Sequence, residues 1–147
     1  MVVVGSGPEH SSLEDRYGGE LWWADISFVG SLDWVGAITH LAVMDAVVVP
    51  SRFEGFGLSA VEAMAASRTV IASDCGGLSE VIEEMSSGLL FHNENVSDLR
   101  AKMELLYTQP SLMHSLSVGA KRRAMVFDVG RFHTQIHRLY SEAFYDW

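Results

Sequence analysis

Five short runs of apolar residues constrain the fold of this chain more than any other feature. They are "VVV" (2–4), "ISFV" (26–29), "AVVV" (46–49), "TVIA" (69–72) and "LLF" (89–91), and each is followed by glycine, proline or a polar residue. Continuous rather than alternating apolar runs are typical of strands buried on both faces, as in a parallel sheet sandwiched by helices. We therefore expect each run to be a parallel strand.

Helical patterns lie between and after these runs. A polar segment extends to about Tyr17, Asp33 can cap a helix behind the second run, and a stretch of small residues follows Leu58. Three further helices are predicted from apolar stripes at helical spacing: Leu99–Met103–Leu106, then Leu112 and Leu116 behind Pro110, then Phe132–Ile136–Leu139. This alternation predicts an α/β fold, with a doubly wound, Rossmann-like parallel sheet of about five strands, flanking helices and a helical C-terminal tail.

Length and charge narrow the class of protein. A chain of 147 residues, 48% of them hydrophobic, has the size of one domain, and such a chain buries roughly 70% of its unfolded surface. Ten Lys and Arg against 19 Asp and Glu give a net charge of -9, which argues against a nucleic-acid partner. The single cysteine, Cys75, fits a reducing compartment, so we expect a cytoplasmic location, with the cytoplasmic membrane face as an alternative.

Four loops behind the predicted strands are candidate binding sites, because ligands of such sheets bind beyond the carboxyl ends of the strands. They are residues 5–8, 30–32, 50–57 and 73–77, and all four contain glycine. Glycine lets a backbone approach a ligand closely, and exposed N–H groups at a helix start attract anions. Gly55 and Gly57 are therefore expected to seat a phosphate or diphosphate at the helix that begins near Leu58.

Two glutamates flank this glycine turn, in "PSRFEGFGLSAVEAMA" (50–65). Glu54 precedes the turn and Glu62 lies about one turn inside the following helix, which would place a carboxylate near each end of an anionic ligand. An equally good account of Glu62 is a capping box formed by Ser59-Ala60-Val61-Glu62, in which the glutamate only binds a backbone N–H. Glu54 has the alternative of an ordinary solvated loop residue.

This stretch resembles the Glu-x7-Glu region of retaining glycosyltransferases of the two-domain GT-B fold, family 4 in particular. Further blocks agree with that family in type and order: "VVVGSGPE" (2–9), "ISFVGSLD" (26–33), "AVVVPS" (46–51), "VIASDCGGLSEVI" (70–82), "SGLLF" (87–91) and, more loosely, "RLYSEAF" (138–144). The resemblance implies transfer of a hexose from a nucleotide-diphosphate sugar to an acceptor hydroxyl, with retained anomeric configuration.

The resemblance also implies a role for each site residue. Glu62 would bind the ribose hydroxyls of the donor, and Glu54, the candidate catalytic residue, would lie beside the donor sugar or its leaving phosphate. The amides of Phe56, Gly57 and Leu58 would hold the distal phosphate. The base edge and the diphosphate would meet the two remaining glycine loops, at Gly30, Ser31 and Leu32 and from Gly5 to Gly7. No metal or other cofactor is expected, and no Asp-x-Asp occurs in the sequence.

The departures from the family pattern define a second hypothesis. The chain starts at what resembles the second strand of the donor domain, so the first strand, the helix after it and the basic loop between them are expected to be absent. We expect residues 1–147 to be one N-terminally truncated donor-binding domain, with its acceptor domain missing or on a separate subunit. Two classes stay open: the donor part of a transferase, or a nucleotide-sugar binding or interaction module without transfer activity.

Two physical expectations follow from the absent segments. Without the basic loop, the chain alone should bind nucleotide diphosphates weakly and transfer no sugar. Without a central strand, unpaired strand edges should favour self-association. A smaller departure lies at Ser67-Arg68-Thr69, where the family has Gly-x-Pro, so this turn should be made with residues of higher conformational cost. Donor base, donor sugar, acceptor and linkage are not encoded in these motifs.

Overall fold

The computed structural model describes residues 1–21 and 24–145. The elements follow in the order β1 (Val2–Val3), α1 (His10–Tyr17), β2 (Gly19–Leu21), β3 (Ala24–Phe28), α2 (Trp34–Val43), β4 (Ala46–Val49), α3 (Leu58–Ala65), β5 (Thr69–Asp74), α4 (Gly77–Val81), β6 (Leu89–His92), α5 (Val96–Thr108), α6 (Pro110–Ala124), a short 3₁₀ helix (Met125–Phe127) and α7 (Val129–Tyr145). They fall into two units, Met1–His40 and Leu41–Trp147. The prediction of one domain stays a prediction.

The first unit is a three-stranded sheet in the order β1-β3-β2. β1 and β3 are parallel, with Val2 opposite Ser27, and β2 pairs antiparallel with β3. α2 begins where the sequence predicts, because the Asp33 carboxylate accepts the amide of Gly36 at 2.7 Å and so caps the first turn.

The second unit is a three-stranded parallel sheet in the order β4-β5-β6. The central strand β5 is buried from Thr69 to Ser73. Val70 and Ala72 pack into a cluster with α3, α4 and α6, whereas Ile71 packs into a second cluster with Leu106 of α5 and Leu116 of α6. Both faces of this sheet are therefore covered, which is why the apolar residues of its strands are consecutive rather than alternating.

The predicted α/β class, with parallel strands and flanking helices, is confirmed. All five apolar runs contribute to strands, and the predicted helical patterns lie in α1, α2, α3, α5, α6 and α7. The short elements β2 and α4 were not predicted, because three and five residues carry too little periodicity to be recognised. The strands form two sheets rather than one of about five strands. The parallel pairings β1–β3 and β4-β5-β6 nevertheless match strands 2–3 and 4-5-6 of the doubly wound order 3-2-1-4-5-6.

The turn after α3 has the conformational cost that the sequence predicts. Ser67 has a φ of +59°, in the left-handed region that favours glycine. The Ser67 amide donates to the carbonyl of Met64, and the Arg68 amide donates to the carbonyl of Ala63, both at 2.9 Å. This is a Schellman motif, which usually has glycine at the position of Ser67.

Among the helices in the described ranges, none is both long and apolar enough to cross a membrane.

Candidate functional site

In the first unit, the two predicted glycine loops meet behind the parallel strands β1 and β3. The Gly5 amide donates to the Gly30 carbonyl at 2.8 Å, and the hydroxyls of Ser6 and Ser31 lie 2.7 Å apart. Gly5 and Gly30 have φ values of +130° and +67°, so both positions favour glycine for conformational reasons. Gly7 has no positive φ, and a Cβ added to it would meet nothing within 4 Å, so the space around it is open.

Leu32 completes the set of predicted residues in this unit. It is half-buried, whereas Ser31 is exposed. The loops 5–8 and 30–32 thus lie together at the carboxyl ends of β1 and β3, as expected for loops that leave parallel strands at the same end.

In the second unit, the loop of residues 50–57, here called the glutamate loop, rests on the loop that follows β5. The Ser73 hydroxyl and the Cys75 thiol both donate to the carbonyl of Ser51, the thiol at 3.2 Å. Further along, the Gly77 amide donates to the carbonyl of Glu54 at 3.0 Å. Cys75 therefore has a structural role, as a half-buried donor between two loops.

The contact between these loops requires glycine. A Cβ on Gly76 would lie 2.0 Å from the Glu54 carbonyl oxygen, and one on Gly77 would lie 2.6 Å from the Gly55 oxygen. Gly76 and Gly57 also have positive φ values, +49° and +97°. The glycines of "CGGLSE" thus allow the glutamate loop to lie directly on the start of α4.

A third loop, after β6, holds the glutamate loop from another side. The Asn93 side-chain amide donates to the Arg52 carbonyl at 2.8 Å, and the Arg52 guanidinium pairs with Glu94 at 2.9 Å. The Arg52 side chain is 85% exposed, and exposed ion pairs contribute little to stability. The hydrogen bond from Asn93 is therefore the contact that holds the loop more firmly. Asn93 was not predicted as a site residue, because an asparagine after a strand is typical of an ordinary turn.

α3 begins directly behind the glutamate loop, with Gly57 as its N-cap residue. The amides of Phe56, Gly57 and Leu58 donate no hydrogen bond to any atom of the described residues. Three adjacent N–H groups without a protein acceptor, at the start of a helix, form an arrangement that suits an anion.

The capping-box alternative for Glu62 is wrong. With Gly57 as the N-cap, Ser59 is already the second helical residue, and the structure has no side-chain cap at this helix start. Glu62 is half-buried, and its carboxylate has no hydrogen bond or ion pair to the described residues. It lies just over one turn inside α3, on the side away from the buried residues Ala60 and Ala63.

Glu54 is half-buried at the end of the glutamate loop, and Ser51 donates to its carboxylate at 3.4 Å. Both glutamates thus follow the carboxyl end of β4, on the loop and helix that the sequence predicts. Arg68, a basic residue near them in sequence, lies before β5 and donates to the carbonyls of Ala66 and Met44 at 3.0 and 2.8 Å. It is engaged at the opposite end of β4 from the glutamate loop.

In the described part of the chain, no three His, Cys, Asp or Glu side chains are grouped closely enough to hold a metal ion. That the site works without metal stays a prediction.

Comparison with known proteins relates the chain to one family. A family model described as "Glycosyl transferases group 1" matches residues 1–123. The D-inositol 3-phosphate glycosyltransferase of Jonesia denitrificans is 33% identical over 116 residues, which are 79% of this chain and 27% of that enzyme. The matched regions make up 27% to 36% of the length of such curated relatives.

Solved structures share the fold. Sucrose-phosphate synthase from Thermosynechococcus elongatus superposes with a TM-score of 0.83 and 26% identity, over 99% of this chain and 39% of that chain. Anabaena Alr3699/HepE, in a crystal structure in complex with UDP-glucose, superposes with a TM-score of 0.81 and 24% identity, over 96% of this chain and 40% of that chain. The similarity to sucrose-phosphate synthase, at 26% identity, is consistent with the family match. The similarity to Alr3699/HepE, at 24% identity, shows a shared fold.

Proposed function

Because the chain belongs to the family of group 1 glycosyl transferases, we propose that it is the donor-binding part of a retaining glycosyltransferase. The reaction is transfer of a hexose from a nucleotide-diphosphate sugar to an acceptor hydroxyl, performed by a longer protein or with a separate acceptor subunit. The donor class is supported by Alr3699/HepE, which shares this fold and was crystallised with UDP-glucose.

The observation that carries this proposal is the start of α3. The amides of Phe56, Gly57 and Leu58 have no acceptor among the described residues, and they lie between Glu54 and Glu62 in the chain. The Glu62 carboxylate likewise has no partner in the described part of the chain. A sugar nucleotide has the matching chemistry, with an anionic diphosphate between a neutral sugar and a ribose. In this assignment the amides receive the distal phosphate, and the Glu62 carboxylate accepts hydrogen bonds from the ribose hydroxyls.

Glu54 is assigned to the sugar side of the site, beside the donor sugar or its leaving phosphate. Its backbone is fixed by Gly77, which holds the residue in place while its side chain, paired with Ser51, stays half-exposed. In the first unit, Gly5 to Gly7 are assigned to the diphosphate, and Gly30, Ser31 and Leu32 to the base edge. Amides and helix dipole, rather than a metal, would stabilise the leaving diphosphate.

A binding module without transfer activity is the second candidate, and the arginines favour it. Arg52 is paired with Glu94, and Arg68 is bonded to two backbone carbonyls, so neither lies unpaired beside the amides of α3. Amides and a helix dipole alone contribute about 0.3–2 kcal/mol to anion binding. This chain on its own is therefore expected to bind weakly and to transfer no sugar.

The proposal is tested by ligand titration of the ¹⁵N-labelled chain with UDP-glucose, ADP-glucose and GDP-mannose. We expect one of them to shift the amide signals of residues 56–58. Glu62→Gln should weaken that ligand about 10- to 100-fold, because a charged hydrogen-bond acceptor is lost. Glu104→Gln, the same charge change on an exposed residue of α5, is the matched control.

Absence of these shifts with every donor, or equal affinity of wild type and Glu62→Gln, would reject the donor-site assignment. The two candidate functions are separated by adding the acceptor part of a longer protein or subunit. Transfer that appears only with that part, and disappears in Glu54→Gln, supports the enzyme. Donor binding without transfer in the assembled protein supports the binding module.

A further inference from the structure

The glutamate loop contacts a residue that lies beyond the family match. Phe56 packs edge-to-face against Phe127, with ring centroids 5.7 Å apart and an angle of 80° between the planes. Phe127 ends the 3₁₀ helix that follows α6, whereas the family model matches residues 1–123. Edge-to-face packing is a preferred geometry of aromatic pairs, so this contact restrains the Phe56 ring.

Phe127 is itself held by Arg123. The Arg123 guanidinium lies over the Phe127 ring, 5.0 Å from its centroid. The same guanidinium donates to the carbonyls of Glu80 and Val81 at 2.6 and 3.0 Å, and it pairs with the Glu83 carboxylate at 3.1 Å. Because its planar fork is occupied at the end of α4, the guanidinium has little freedom, and the ring below it is fixed in turn.

The aromatic contact restrains the loop at a residue between two glycines. Glycines stand on both sides of this residue, and a Cβ on Gly55 would meet nothing within 4 Å. Glycine peptides rotate more freely than others, so the neighbours of Phe56 in the chain do not by themselves set the direction of its amide. The Phe56 backbone instead lies against Gly77, where an added Cβ would come within 2.6 Å of the Phe56 Cα. The hydrogen bond and the close packing from Gly77 hold the loop backbone at Glu54 and Phe56, and the Phe127 ring adds a restraint on the Phe56 side chain.

We propose that Phe127, held under Arg123, is a positioning residue that orients the amides of Phe56, Gly57 and Leu58 toward the distal phosphate of the donor. This inference rests on the proposed function. Phe127 touches the phosphate-binding loop and acts through Phe56. Since the ring also packs against the main buried cluster, its effect on binding must be separated from its effect on folding.

The experiment compares Phe127→Leu and Phe127→Tyr with wild type in the full chain. Leucine keeps apolar bulk but removes the aromatic edge contact, whereas tyrosine keeps the ring. The probes are UDP, ADP and GDP, titrated into the ¹⁵N-labelled protein, with the fraction folded measured by urea unfolding. Val126→Ala, at an exposed neighbour in the same 3₁₀ helix, is the matched control.

We expect Phe127→Leu to weaken the best-binding diphosphate about 3- to 10-fold and to move the unliganded amide signals of Gly57 and Leu58. Phe127→Tyr should restore both, and Val126→Ala should change neither. The inference is overturned if Phe127→Leu binds like wild type, if tyrosine fails to rescue, or if the loss of affinity equals the loss of folded protein. If wild type itself binds no diphosphate, the proposed function fails first, and the inference fails with it.

Discussion

The two units of the chain have the same kind of sequence but differ in burial. Met1–His40 and Leu41–Trp147 both alternate apolar strands with helices. Residues with a fully buried side chain nevertheless occur only in the second unit, among those whose side chains the structure describes. Val2 and Val3 of β1 are half-buried, whereas Val70 and Ile71 of β5 are 0% and 1% exposed.

The difference teaches that an apolar run predicts a strand but not the depth of its burial. In the second unit, helices α3, α4, α5 and α6 cover both faces of β5. The first unit has a sheet of the same strand number and only about 40 residues, which is too few to cover both faces of a sheet. The free energy of unfolding should therefore depend mainly on the second unit.

The largest expected effect comes from the same substitution at two valines, one in a strand of each unit. Val70→Ala should lower the free energy of unfolding by about 2–3 kcal/mol, because it removes two buried methyl groups and leaves a cavity. Val3→Ala should cost about 1 kcal/mol or less, because this side chain is already half-exposed. Urea unfolding followed by circular dichroism measures both. Equal costs would refute the difference between the units.

A second pair adds a methyl group instead of removing one. A Cβ on Gly119 of α6 would lie 1.8 Å from the carbonyl oxygen of Ser86, so Gly119→Ala should destabilise the protein by about 1–3 kcal/mol. Gly7→Ala, where a Cβ meets nothing within 4 Å, should change stability by less than about 0.5 kcal/mol. The thermal melting temperatures of the two variants provide the comparison, and a silent Gly119→Ala would contradict the close packing of α6 in the second unit.

A third substitution should raise the stability of the second unit, at the strained turn after α3. Ser67→Gly should stabilise the protein by about 0.5–1 kcal/mol, because glycine adopts the left-handed conformation of this position without strain. Ser67→Ala has the same loss of hydroxyl but keeps a Cβ, so it should bring no gain. If both variants melt at the wild-type temperature, the turn carries no measurable strain.

The smallest expected effect is the response of the second unit to acid. The pKa of Asp98 lies below its ordinary value, chiefly because its carboxylate accepts the backbone amide of His92, and secondarily the His92 side chain. A lowered folded-state pKa contributes stability above the unfolded pKa, near 3.8, and this contribution is lost as the pH falls through the folded value. Asp98→Asn should thus melt below wild type at pH 6, and the gap should begin to narrow near pH 4 and shrink further as the pH falls. A gap that is constant down to pH 2.5 would contradict this role of Asp98.

The edges of the two sheets bear on the predicted self-association. β1 is the outer strand of the sheet β1-β3-β2, and β4 is the outer strand of β4-β5-β6. Edge strands with free backbone groups invite pairing with another chain. Self-association stays a prediction, to be measured by light scattering.

Much of the candidate site could be predicted from the sequence, for local reasons. The continuous apolar runs predicted β4, β5 and β6, the glycine turn predicted the start of α3 at Leu58, and Asp33 predicted the cap of α2. Each of these depends on backbone conformation or periodicity within a few residues, which a single sequence contains. The positions of Glu54 and Glu62 behind β4 follow from the same local signals.

Tertiary structure decided which distant residues complete the site. It brought Gly77 to the carbonyl of Glu54, Asn93 to that of Arg52, and Phe127 to the ring of Phe56. It also left Glu62 without the capping role that Ser59 and Glu62 predict locally, because Gly57, packed against Leu78, starts the helix earlier. Such contacts depend on how separate elements pack across the sheet, and no spacing within one segment of the chain encodes that packing.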